Sequence, residues 1–116
     1  MGFLSTHVLD TANGRPAGGM LIELFRVDDE RCQLGSVTTN ADGRCDAPLL
    51  QGNAFVAGEY ELVFHAGDYF AASGLEQTQP RFLDHVVIRF GVSDADAHYH
   101  VPLLVSPFAY STYRGS

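Results

Sequence analysis

Residues 98–105 read His-Tyr-His-Val-Pro-Leu-Leu-Val, and their alternation leaves little freedom of fold. Side chains two apart on a strand point the same way. Tyr99, Val101, Leu103 and Val105 therefore make one nearly pure apolar face, while His98, His100, Pro102 and Leu104 share the other. Such a strand has to lay its apolar face on a second layer. The rest of the chain repeats the pattern, with short alternating segments at 4–10, 20–27, 33–39, 60–65, 83–92 and from Pro107 onward. Turn residues separate them: Asn13 and Gly14, Gly18 and Gly19, Asn40 to Gly43, Asp94 to Asp96. The stretch 66–74 differs, because Asp68 can cap a short helix and Gly74 can end one. About eight strands and one helix in two packed sheets, an all-β sandwich, is the predicted architecture. At 116 residues the chain is long enough to bury a core of its own, so 1–116 is predicted to be one domain.

Composition narrows the function. Hydrophobic residues are 46% and charged residues 18%, which suits a globular protein rather than a disordered one. The net charge is -7, and all seven basic residues are Arg. Phosphate binding needs a basic face, so no nucleic-acid partner is expected. Without Lys there is no Schiff-base chemistry and no phosphate-loop lysine. No leader and no long apolar segment are visible, so a soluble, cytoplasmic protein with no membrane partner is expected. Cys32 and Cys45 form no CxxC and could pair or stay reduced.

Histidine placement gives the sharpest signal. In 4–10, Leu4, Thr6 and Val8 take one face and Ser5, His7 and Leu9 the other. If the first set is core, His7 points away from it, as His98 and His100 do. In the last segment Ser111, Tyr113 and Gly115 alternate with Tyr110 and Thr112. A second surface then carries His7, His98, His100, Ser111 and Tyr113, with Leu9, Pro102 and Leu104. It is too apolar for an ordinary solvated face and too polar for a core, a mixture that points to a ligand or another subunit. His65 and His85 show no obvious partner and read as structural or exposed. Arg44, directly after a turn, reads alone as a solvated turn residue.

Five segments together resemble a known family. LSTHVLD at 4–10, GRPA at 14–17, DGR at 42–44 followed by PL at 48–49, HYHVPLL at 98–104 and YRGS at 113–116 are similar to the 5-hydroxyisourate hydrolases, transthyretin-related enzymes of purine catabolism. Ala109 stands where that family often has Gly or Ser, and His65 where Asp is common. The resemblance implies a transthyretin-like sandwich of two four-stranded sheets with one short helix. It also implies a homotetramer of two dimers, with active sites at the ends of a central channel, and no cofactor and no metal. The implied catalytic residues are His7, Arg44, His100 and Ser116. The implied substrate-binding residues are His7, Arg44, His98, Tyr113 and Arg114.

The implied reaction is hydrolysis of a ring amide of 5-hydroxyisourate to 2-oxo-4-hydroxy-4-carboxy-5-ureidoimidazoline. A neutral imidazole can accept a proton from water near neutral pH; His7 and His100 both qualify. Arg44, always charged and with a planar fork of donors, suits an anionic substrate and a developing oxyanion. Tyr113 and Ser116 would orient substrate or water. Two rivals share these residues. His98, His100 and His7 have the ligand count of a catalytic zinc site, and a transthyretin-like carrier would use the same channel only to bind.

Overall fold

The structure is a computed structural model and describes residues 1–115. Eleven strands are formed, several very short: β1 (Phe3–Ser5), β2 (Val8–Asp10), β3 (Arg15–Pro16), β4 (Leu21–Arg26), β5 (Cys32–Thr38), β6 (Leu50–Gln51), β7 (Gly58–His65), β8 (His85–Val92), β9 (His98–His100), β10 (Leu103–Val105) and β11 (Tyr110–Thr112). One α-helix among the described residues, α1 (Ala66–Ala72), follows β7 directly.

One layer is an unbroken antiparallel sheet in the order β5-β4-β7-β8. The other layer is two groups, β6-β1-β9 and β11-β10-β2-β3. They are one sheet in register. Phe3 pairs with His98 and Val8 with Leu103, both parallel and with the same offset. Leu103 pairs with Thr112 and His100 with Gly115, antiparallel and again in one register. The first segment therefore runs through the centre, with 98–105 on one side and β6, then β3, on the other. This gives the two four-stranded sheets of a transthyretin-like sandwich.

The interruption has a physical cause. Val101 and Leu103 donate to Ser5 and His7 carbonyls at 2.9 Å each, so pairing with the central strand never stops. Pro102 has no N–H to give the strand on its other side. Thr112 fills part of that gap, its hydroxyl donating to the Pro102 carbonyl at 2.7 Å. Across the central strand, the neighbour changes from β6 to β3 around His7. The second sheet thus has a seam through His7 and Pro102.

Between the layers, Leu4, Val8, Tyr99, Val101, Leu103 and Val105 meet Ile22, Leu24, Leu62, Phe64, Val86 and Ile88, all buried. The alternation in 4–10 and 98–105 is therefore the core pattern it was taken for. Helix α1 is tied to the second sheet by Asp10. That buried carboxylate accepts from Tyr69 Oη at 2.8 Å, Asn13 Nδ2 at 2.7 Å and the Ala12 and Asn13 amides. Burial opposes ionisation there, but the hydrogen bonds outweigh it and hold the carboxyl below its ordinary range.

Two expectations need correction. Asp68 does not cap the helix: His65 occupies the cap position, and Asp68 accepts from Arg81 Nη1 at 2.7 Å. Gly74, at φ 90°, does end it. His65 and His85 do have partners: they pair across β7 and β8 with rings 4.2 Å apart, and His65 Nε2 lies 2.7 Å from Glu23 Oε1. Cys32 and Cys45 are both free thiols. No helix among the described residues is long and apolar enough to cross a membrane.

Candidate active site

The seam is where the predicted residues meet. His7 sits on the central strand and His100 on its parallel neighbour, with Ser5 directly opposite His100. All three lie on the face turned away from the core. Arg44 joins them from the other side, bridging to His7 in antiparallel pairing. Its approach is set by the turn before it. Gly43 has φ 74°, and a Cβ there would lie 2.3 Å from the Val8 carbonyl oxygen. Only glycine lets this turn close on the central strand, where Val8 N–H donates to the Gly43 carbonyl at 2.8 Å.

Each imidazole is held differently. His7 Nε2 lies 2.9 Å from the Asp42 carbonyl. A carbonyl only accepts, so Nε2 carries hydrogen and the lone pair of neutral His7 is on Nδ1. His98 stacks on Phe3, with ring centroids 3.9 Å apart and planes at 21°. Its Nε2 and His100 Nδ1 each lie 2.8 Å from the Ser5 hydroxyl. His100 is half-buried, and the backbone of Gly115 closes over it: Gly115 N–H donates to the His100 carbonyl at 2.7 Å. A Cβ on Gly115 would stand 2.6 Å from His100 Cδ2.

Electrostatics favours a neutral base beside a free cation. Burial pushes the His100 pKa down, and the charges of Arg44, His98 and His7 push it further the same way. Arg26, Arg31, Arg81 and Arg89 each engage a carboxylate. Among the described residues no carboxylate ion-pairs with Arg44, and its guanidinium remains available to an anion. A shallow cavity of about 220 Å³ opens beside it, lined by Ser5, Thr6, Arg44, Cys45, Asp46 and Pro48. A larger one, about 640 Å³, lies near Arg15, His65, Asp68 and Tyr69 and holds none of the predicted residues.

Not every predicted residue belongs. Tyr113 keeps the register of the His face and is 60% exposed. Arg114 does not join it. Its guanidinium stacks 4.0 Å over the ring of Tyr99, which is core. The cause is the pleat: Arg114 falls between Tyr113 and Gly115 and must point to the opposite face. Ser116 lies outside the described residues. Ser5 was missed as a site residue, although its spacing of two from His7 was the signal for it. Among the described residues no group of three or more His, Cys, Asp or Glu side chains is arranged to hold a metal ion. His98 and His100 turn their nitrogens onto one hydroxyl instead.

Comparison with known proteins bears on the family and the fold. Residues 4–115 match the HIUase/Transthyretin family. A protein of Rhizobium meliloti (strain 1021) named 5-hydroxyisourate hydrolase 2 is 60% identical, over 99% of this chain and 97% of its own. The solved 5-hydroxyisourate hydrolase of Klebsiella pneumoniae superposes with a TM-score of 0.82 at 37% identity, covering 100% of both chains. A solved (S)-allantoin synthase superposes with a TM-score of 0.95 at 49% identity; the chain covered is 99% of this one and 44% of that one.

Proposed function

Because this chain belongs to the HIUase/Transthyretin family, we propose that it is the hydrolase of that family and opens a ring amide of 5-hydroxyisourate. The product is 2-oxo-4-hydroxy-4-carboxy-5-ureidoimidazoline, and the reaction belongs to urate breakdown. The observation that carries this reading is the meeting of His7, His98 and His100 with an Arg44 that no carboxylate among the described residues pairs with. A site for carriage of an apolar ligand has no use for that combination, whereas attack of water on a carbonyl needs both a base and a cation.

His100 is the base. Its lowered pKa keeps it neutral, its Nδ1 is occupied by Ser5, and Nε2 is left to take a proton from water. Arg44 binds the anionic substrate and stabilises the oxygen that becomes negative as water adds. His7, fixed by the Asp42 carbonyl, presents Nδ1 as an acceptor that orients water or substrate. Tyr113 and Ser116 complete the substrate contacts from the far strand. No residue role calls for a cofactor. The mixed apolar and polar histidine face, with Tyr113 60% exposed, supports assembly into an oligomer, a tetramer enclosing the sites in a channel.

The test is the ultraviolet decay of 5-hydroxyisourate generated from urate by a uricase. The substrate decays unaided, so rates are compared with and without the protein. A rate that scales with protein concentration, survives EDTA and collapses in His100→Ala is the expected result. Loss with EDTA and recovery with zinc would support the metal-dependent rival. A rate equal to the blank would overturn the reading and leave a binding protein.

A further inference from the structure

Ser5 Oγ lies 2.8 Å from His98 Nε2 and 2.8 Å from His100 Nδ1. A hydroxyl has one hydrogen, so it donates to one ring and accepts from the other. Two neutral arrangements result. In one, His100 carries hydrogen on Nδ1 and donates to Ser5, which donates to His98; the His100 lone pair is then on Nε2. In the other, His98 donates to Ser5, which donates to His100, and His100 carries its hydrogen on Nε2. The first His100 is a base toward the site, the second an acid.

We propose that Ser5 is a positioning residue that passes a proton between His100 and His98, so that His100 Nε2 serves as base and then as acid within one turnover. The proposal rests on the hydrolase reading above. Water gives a proton to His100 Nε2 while its oxygen bonds to the carbonyl carbon. The Nδ1 proton of His100 moves to Ser5 Oγ, and the Ser5 proton moves to His98 Nε2. His100 stays neutral beside Arg44, His98 becomes the imidazolium, and the negative charge is on the substrate oxygen. When the C–N bond breaks, the Nε2 proton goes to the departing nitrogen. His98 then returns a proton to Ser5, and Ser5 returns one to His100 Nδ1. Only water is consumed.

The surroundings hold the rings in place for this. Phe3 is the register partner of His98 and stacks on it; Ser5 is the partner of His100. Gly115 packs against the His100 ring so closely that a Cβ would meet it at 2.6 Å. Each ring is therefore backed, with Ser5 between them.

Three measurements on the full chain test this. Ser5→Ala should lower kcat by about 10–100-fold with KM within about twofold, and Ser5→Thr, which restores the hydroxyl, should recover about tenfold of that loss. A proton inventory in mixed H2O and D2O should be bowed for the wild type and linear for Ser5→Ala. Histidine ¹⁵N spectra at neutral pH should show His98 and His100 both with hydrogen on Nδ1 in the wild type, and lose that preference in Ser5→Ala. Ser5→Ala at wild-type turnover, a Ser5→Thr as slow as Ser5→Ala, or unchanged tautomers would each overturn the relay. A wild type that leaves 5-hydroxyisourate decay at the blank rate would instead overturn the hydrolase reading, and the ¹⁵N spectra would still decide whether Ser5 sets the tautomers.

Discussion

Two groups of histidines occupy the two sheets, and their surroundings differ. On the regular sheet, His65 and His85 meet across β7 and β8 with their rings tilted by 42°, within a network of carboxylates and one cation. Glu23 lies 2.7 Å from His65, Asp68 3.8 Å from it, and Arg81 binds both Asp68 and Asp84. On the seamed sheet, His7, His98 and His100 meet a carbonyl, a hydroxyl and the free cation Arg44, and no carboxylate hydrogen-bonds to them among the described residues. The first group satisfies itself. The second leaves a lone pair and a positive charge that no carboxylate among the described residues meets. A cluster of histidines is therefore not the signal; what its hydrogen bonds and charges leave unanswered is.

The largest effects should separate the two groups outright. His100→Ala and Arg44→Ala should each lower kcat/KM for 5-hydroxyisourate by about 10²–10⁴-fold, with the β circular-dichroism spectrum kept. His7→Ala should lose most of the activity as well. His85→Ala should stay within about twofold of wild type. An equal loss in His85→Ala would erase the distinction between the groups.

A smaller effect should come from the closing strand. Gly115→Ala puts a methyl where the His100 ring stands. Ring or strand must shift to make room, and about a tenfold loss of kcat with the β circular-dichroism spectrum kept is expected from misplacement of the base. Unchanged kcat would mean that His100 tolerates displacement and is not the base.

The pH profile sharpens the electrostatic side. A base with a lowered pKa stays neutral to lower pH, so activity is kept below the ordinary imidazole value of about 6.5 and lost as pH falls through the folded pKa of His100. Burial is the main cause and the Arg44 charge the next. Residual activity of Arg44→Gln should therefore show its acid limb at higher pH than the wild type. A limb that does not move would assign the titration to another group.

Much of this was legible in the sequence because strand alternation is local. Leu4, Thr6 and Val8 against His7, and Tyr99 and Val101 against His98 and His100, need no long-range knowledge to be sorted into core and site. The family motifs added Arg44, which its own turn would have left as a solvated residue. What escaped depends on register between distant segments. That Ser5 faces His100, that His65 faces His85, and that Asp68 serves Arg81 rather than the helix cap are all set by pairings remote in the chain. Arg114 is a different case. Alternation had already placed it opposite Tyr113, but the terminal motif was read as a block and carried it into the site.

The smallest effect tests the self-satisfied group directly. The His65 and Glu23 side chains are only 15% and 26% exposed, so their contact is screened less than a surface pair. A double-mutant cycle of His65→Ala and Glu23→Ala should give a coupling of about 1 kcal/mol in stability, weaker at high salt, with turnover left within about twofold. A histidine and carboxylate 2.7 Å apart would then be measured as a structural pair. A coupling that appeared in turnover instead of stability would show that the regular sheet, not only the seam, reaches the substrate.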